Sequence, residues 1–274
     1  MNENTIEQHV RVADADTQAV ALLHAATGLP KQRIKHAMAC GAVWLTRARS
    51  TARLRRATRS LQVGDELHLY YNPSVLAEEP ITPRRVADEG AFSVWDKPSG
   101  LRSQGSRWGD HCTVMRFAET HLQPKRNAFT VHRLDRAASG LMLIAHTKKA
   151  AANLSSQFRN RAVEKRYRAI VSGDASAIGE AQIIELPIDA KPARSMCRFI
   201  ECRADQAQSV VEVAIETGRK HQIRRHLQHI GFPIVGDRLY GGATKDDVDL
   251  QLRSVFLSFT HPETGESVTY DHRS

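Results

Sequence analysis

Between Asn72 and Arg85 the chain reads NPSVLAEEPITPRR, with three prolines and a change from basic to mixed charge. Proline fixes its own φ, pushes its predecessor out of the helical region and donates no amide hydrogen. No long helix or central strand can therefore run through this stretch, and it divides the 274 residues in two. The division predicts a first domain over residues 14–75, a linker over 76–85 and a second domain over 86–274. A chain this long can bury a substantial core.

Charge falls unevenly across that division. Between Asp16 and Asp65 there is no acidic residue, while Lys31, Arg33, Lys35, Arg47, Arg49, Arg53, Arg55, Arg56 and Arg59 are all basic. These nine account for the whole excess of +9, because the rest of the chain balances at 30 basic against 30 acidic residues. A solvated face normally carries both signs. Nine like charges with none opposed in sequence call for a polyanion, so the first domain is expected to bind nucleic acid, with Lys31, Arg33 and Lys35 among its contacts.

Other classes are excluded by what is absent. No apolar run of about eighteen residues could span a bilayer, and the polar start MNENTIEQHVRVADAD lacks the basic, apolar and small-residue regions of a secretory signal. The expectation is a cytoplasmic monomer that does not engage membrane. Cys40, Cys112, Cys197 and Cys202 are scattered without a CxxC pair, which suits reduced structural thiols. His221, His226 and His229 lie close together in RKHQIRRHLQHIG, but no acid or cysteine joins them and no HExxH occurs. They read as a polar or RNA-facing helix surface, and no metal is expected. There is no Walker-type phosphate loop or dinucleotide fingerprint, so no cofactor is expected either.

Periodicity places the elements. TQAVALLHAATG and PKQRIKHAMACG carry apolar residues at helical spacing and end at Gly28 and Gly41, in C-cap position. The strands AVWL and DELHLYY follow, the latter with Leu67, Leu69 and Tyr71 on one face. Beyond the linker, the strands FSVWDKP, GLMLIAHT, KRYRAIVSG and SVVEVAIETG alternate with the helices KKAAANLSSQFRN and RKHQIRRHLQHIG. In the last strand both faces carry apolar residues, so both are expected to be partly covered.

The first domain resembles the S-four RNA-binding domain, two helices and a small sheet that present a basic surface to structured RNA. It departs from that pattern after Leu45, where WLTRARS replaces the usual Val-Asn-Gly turn. In the second domain FSVWDKPSGL, VHRLDRAASGLMLIAHT, VEKRYRAIVSG and ETGRKHQIRRHLQHIGFPIVGDRLYGG together resemble, in order and spacing, the RluA-type pseudouridine synthases. The resemblance implies an α+β fold: a mixed, mainly antiparallel catalytic sheet with flanking helices, and the small α+β RNA-binding domain before it.

It also implies the chemistry. Such enzymes break the bond between ribose and the uracil nitrogen, turn the base, and rejoin the sugar at carbon 5. Asp135 corresponds to the family's catalytic aspartate, as a nucleophile at the anomeric carbon or as a base for the ribose 2′ proton. Taken alone, such an aspartate would be read as a turn residue. Burial disfavours any charged carboxylate, so a cation must compensate. Arg224 matches the family's basic partner, and its planar fork suits a carboxylate. Tyr167 matches the active-site tyrosine, able to stack on uracil, although a strand tyrosine is ordinarily core. His132 and Arg133 are expected to bind substrate, Arg133 by helping the nucleotide leave its stack.

The RNA implied is ribosomal, from the large subunit, with transfer RNA second. A non-catalytic RNA-binding or ribosome-assembly protein is the alternative from another class, and the set Asp135, Tyr167 and Arg224 argues against it. A glycoside hydrolase would need two paired carboxylates.

Overall fold

The computed structural model describes residues 5–14, 17–244 and 247–273. Two compact units emerge. One comprises the residues up to Ile81 together with Gln104–Phe117, the other Thr82–Ser103 with the residues from Ala118 on.

The first unit begins with β1 (Ile6–Arg11), followed by α1 (Ala19–Thr27), α2 (Lys31–Ala39), β2 (Val43–Arg47), β3 (Ser50–Arg53), β4 (Glu66–Tyr71) and the short α3 (Pro73–Leu76). The strands form one antiparallel sheet in the order β1-β4-β2-β3. Leu67, Leu69 and Tyr71 of β4 are buried with Leu23 of α1 and with Ile34, Ala37 and Met38 of α2. Fully burying side chains of this size stabilises by roughly 1.5–3 kcal/mol each. Gly28 caps α1 at φ 70° and returns its amide to the carbonyl of His24. The cap of α2 is Cys40, not the expected Gly41, which follows at φ 78°.

Two boundaries differ from expectation. The unit starts before residue 14, because β1 pairs along its whole length with β4. It also takes in Gln104–Phe117 from the far side of the linker: buried Asp110 receives Arg53 at 3.0 Å and Arg55 at 2.5 Å, and Trp44 donates its indole N–H to the carbonyl of Arg107.

The second unit is built on a ten-stranded sheet. Its elements are β5 (Arg84–Asp88), β6 (Phe92–Lys97), β7 (Phe129–Thr130), β8 (Ser139–Ala145), α5 (Lys148–Arg159), β9 (Glu164–Ser172), β10 (Gln182–Ile184), β11 (Ser195–Arg203), β12 (Gln208–Ile215), α6 (Gln222–His229), β13 (Leu252–Thr260) and β14 (Ser267–Asp271), with α4 (Val114–His121) between β6 and β7 in the chain. The main path runs β10-β11-β12-β9-β13-β8-β6-β5, with β14 on β13 and β7 on β8. Among the described residues every pair in this sheet is antiparallel except β13 with β8. The sheet is thus mixed and mainly antiparallel. Consecutive residues Ser209 to Val213 of β12 are all buried, so this strand is covered on both faces.

Gly140 makes the one parallel junction possible. A Cβ there would stand 2.1 Å from the carbonyl oxygen of Ser254, and its φ is +102°. The close approach a glycine allows here is to β13, where Ser254 pairs with both Gly140 and Tyr167.

Candidate active site

Asp135 lies on the loop between β7 and β8, and the segment after β6 holds that loop from both sides. Ser103 binds both backbone groups of Leu134, donating to its carbonyl at 2.8 Å and accepting its amide at 3.0 Å. The Gly100 amide and the Lys97 ammonium both reach the carbonyl of Arg136, and the Ser99 hydroxyl reaches that of Ala137. The stretch KPSGLRS is therefore a clamp on the backbone to either side of Asp135.

Lys97 is the least expected part of it. The side chain is fully buried, and Nζ donates to the carbonyls of Pro98, Leu101 and Arg136 at 3.0, 2.8 and 3.2 Å. Burial pushes its pKa down to about 7, opposed by the charge of Asp135. Three carbonyls around three N–H donors suit the charged ammonium, which makes it a cation beneath the loop as well as a tie.

Arg224 comes from α6, where Ile223 and Leu227 are buried and carry the arginine inward with them. Its fork does not close on Asp135. Nε and Nη2 donate to the two oxygens of Asp237 at 2.8 and 2.7 Å, while Nη1 stands 3.7 Å from Oδ2 of Asp135. Asp237 also accepts the amides of Leu239 and Tyr240. Burial alone would raise its pKa, but these donors outweigh burial and hold the carboxyl below its ordinary range. Sequence reasoning missed Asp237. Its only signal is a lone acid thirteen residues after an arginine, in the turn GDRLYGG.

A cavity of about 80 Å³ is lined by Arg133, Asp135, Tyr167, His221 and Arg224, among others. Tyr167 reaches it from β9, on the face shared with buried Ala169 and Val171. Burial, and then the charge of Asp135, push the phenol far above its ordinary value, so it stays a protonated donor at any working pH. Arg133 is exposed at the cavity wall. The Asp135 side chain keeps 28 % of its surface exposed, so the carboxylate is only partly buried in the free protein.

His132, expected to bind substrate, is not among the residues that line this cavity. Its ring stacks on Phe158 at 4.4 Å and 16°, and Nε2 accepts the Leu143 amide at 2.9 Å. Burial and nearby Lys165 lower its pKa to about 3. That stacking and that hydrogen bond hold the imidazole between α5 and β8. His226, read from sequence as part of a polar or RNA-facing helix surface, is instead buried and bonds Ser195 and the carbonyl of Leu186.

In the first unit Lys31, Arg33 and Lys35 all point to solvent from α2. The basic run is less unopposed than its sequence suggests. Arg47 makes a bidentate pair with buried Asp65 at 2.9 and 2.7 Å, and Arg53 and Arg55 share Asp110. Lys31, Arg33, Lys35, Arg49, Arg56 and Arg59 remain exposed.

Residues 91–229 match the family model for RNA pseudouridylate synthase. The dual-specificity RNA pseudouridine synthase RluA of Salmonella typhimurium is 36% identical over 217 residues, covering 73% of this chain and 95% of the relative. The ribosomal large subunit pseudouridine synthase D of Xanthomonas campestris is 34% identical over 204 residues, covering 64% and 61%. In fold, the human RNA pseudouridylate synthase domain containing 1 superposes with a TM-score of 0.60 at 23% identity, over 72% of this chain and 86% of that one. The protein is thus an isomerase of uridine in RNA. It belongs to the RluA-type pseudouridine synthase family.

Proposed function

We propose that Asp135 is the carboxylate that acts on the uridine, with Arg224 as its cation and Tyr167 as the ring beside the base, and that the RNA is ribosomal RNA of the large subunit. The observation that carries the reading is the approach of a buried guanidinium to Asp135 at 3.7 Å, on the wall of a cavity that Tyr167 also lines. Nucleophilic attack at the anomeric carbon and removal of the 2′ proton both need a charged, fixed carboxylate. Arg224 supports the charge, and the clamp from Lys97 to Ser103 supports the position. Neutral Tyr167 can stack on uracil and offer its hydroxyl when the proton on carbon 5 is exchanged.

A uridine in a folded RNA reaches this cavity only after leaving its stack. Arg133, exposed at the wall, is placed to occupy the vacated space. The first unit, with an S-four-like pair of helices and six exposed cations, supplies phosphate contacts. The ribosomal assignment rests on that unit and on the name of the Xanthomonas relative, with transfer RNA as the second substrate class. The protein works as a monomer in the cytoplasm and needs no cofactor. Mapping pseudouridines in ribosomal and transfer RNA from cells with and without the gene tests the target. Loss of a site in large-subunit RNA is expected, and an unchanged ribosomal map with a lost transfer RNA site would overturn the ribosomal assignment.

A further inference from the structure

The charges around Asp135 do not balance with Arg224 alone. Asp135 and Asp237 are two carboxylates facing one guanidinium, and the guanidinium has given its bidentate face to Asp237. That trio carries a net charge of minus one. Lys97 offsets part of it from beneath the loop, but once a nucleotide fills the cavity and excludes water the charge on the group that must react costs more.

A second donor already stands there. His221, just before α6, holds Nε2 3.9 Å from Oδ2 of Asp135, the oxygen that Arg224 also approaches. On its other side Nδ1 meets the Tyr240 hydroxyl at 3.0 Å, with the two rings edge to face at 5.7 Å. Tyr240 is anchored in turn, its amide donating to Asp237 and its ring lying under the Arg224 guanidinium at 5.1 Å. The backbone of His221 is left-handed at φ 55°, a region that side chains other than glycine rarely adopt without a reason.

We propose that His221 is a positioning residue for Asp135: the Tyr240 hydroxyl fixes its ring so that Nε2–H becomes the second donor to the carboxylate oxygen that Arg224 reaches. The proposal rests on the reading of Asp135 as the acting carboxylate. Burial lowers the proton affinity of this imidazole, with Arg224 and Lys220 adding to the effect and Asp135 and Asp237 opposing it. Arg133, Arg219 and the neutral Tyr167 line the same cavity, and Lys97 acts on Asp135 from below. At neutral pH the ring is neutral and has one hydrogen. A Tyr240 hydroxyl donating to Nδ1 puts that hydrogen on Nε2, toward Asp135. The 3.9 Å gap in the free protein is longer than a hydrogen bond, and the proposal requires it to shorten when the nucleotide is bound.

Substitutions separate the two ring nitrogens. Asparagine tolerates the left-handed backbone but its amide reaches only as far as Nδ1, whereas glutamine extends to the place of Nε2. Single-turnover rates at saturating RNA, from about pH 4 to 9, are expected to fall about tenfold in His221→Asn. The acid limb should move up by about one pH unit, the equivalent of a tenfold loss of support for the charged carboxylate, with RNA affinity unchanged. His221→Gln should recover most of the rate, and Tyr240→Phe should fall between them. Independently of turnover, the imidazole resonances of His221 should titrate at lower pH in Asp135→Asn than in wild type, because the carboxylate favours the imidazolium. A wild-type rate and acid limb in His221→Asn would overturn the proposal. So would equal losses in the asparagine and glutamine variants with the limb unmoved, or an unshifted titration. Absence of pseudouridine formation by the wild-type protein would defeat the functional reading instead, and the titration would still report whether His221 and Asp135 are coupled.

Discussion

Replacing Asp237 with asparagine tests what holds Arg224. Oδ1 of Asp237 accepts from Nη2 of Arg224 and from the amides of Leu239 and Tyr240, while Oδ2 accepts only from Nε of Arg224. Asparagine can keep the first oxygen. It then sets an amide N–H against Nε–H and leaves a guanidinium only 6 % exposed with Asp135, at 3.7 Å, as its remaining counter-charge. Breaking one side of a buried ion pair costs about 3–5 kcal/mol, and the surviving bonds put this change near the lower end, about 3 kcal/mol. With a urea dependence of about 3 kcal/mol/M the midpoint should fall by about 1 M at pH 7. The pH dependence has a definite sign. Asp237 titrates below the ordinary carboxyl range in the folded protein, so its stabilisation is complete above the unfolded value near pH 4 and is lost as pH falls through the folded one. The gap between wild type and Asp237→Asn should therefore narrow in acid. Urea unfolding followed by circular dichroism at pH 7, 5 and about 3.5 reads both effects. A loss under 1 kcal/mol at pH 7, or a gap that widens in acid, would refute the assignment of Asp237 as the buried anchor of Arg224.

Three further outcomes are expected. Neutralising Lys31, Arg33 and Lys35 together should flatten the slope of log RNA affinity against log salt by about two to three units, as three lost phosphate contacts require, whereas Arg47→Gln should leave the slope alone and lower stability; fluorescence titration at several salt concentrations distinguishes them. Gly140→Ala should unfold or destabilise the second unit by more than about 3 kcal/mol, measurable by thermal melting, since its Cβ would overlap the Ser254 backbone at a left-handed φ. Turnover should persist in a chelator, which tritium release from RNA labelled at uracil carbon 5 would show.

Much of this site was legible because its parts lie in contiguous runs. Asp135, Tyr167 and Arg224 were each picked out by a contiguous motif that resembles the family's; strand alternation carries Tyr167, and helix spacing Arg224, to the cavity that the Asp135 loop also lines. What escaped is what depends on the third dimension. A window along the chain counts Arg47, Arg53 and Arg55 as unopposed, although Asp65 and Asp110 meet them from outside it. His132 is three residues from Asp135 in sequence, yet the loop delivers its ring to Phe158. Lys97 looked like part of a strand end, and only its three carbonyl partners reveal the clamp. The strands β1, β3, β10 and β14 are only three to six residues long, and pairing with their neighbours defines them.

The most direct test of the account compares wild type with Asp135→Asn on RNA carrying tritium at uracil carbon 5, with binding measured on the same RNA. The account predicts tritium release by the wild-type protein, none above background by the variant, and RNA affinities within a few fold, because phosphate contacts elsewhere supply most of the binding. A variant that releases tritium at a substantial part of the wild-type rate would contradict the assignment of the chemistry to Asp135.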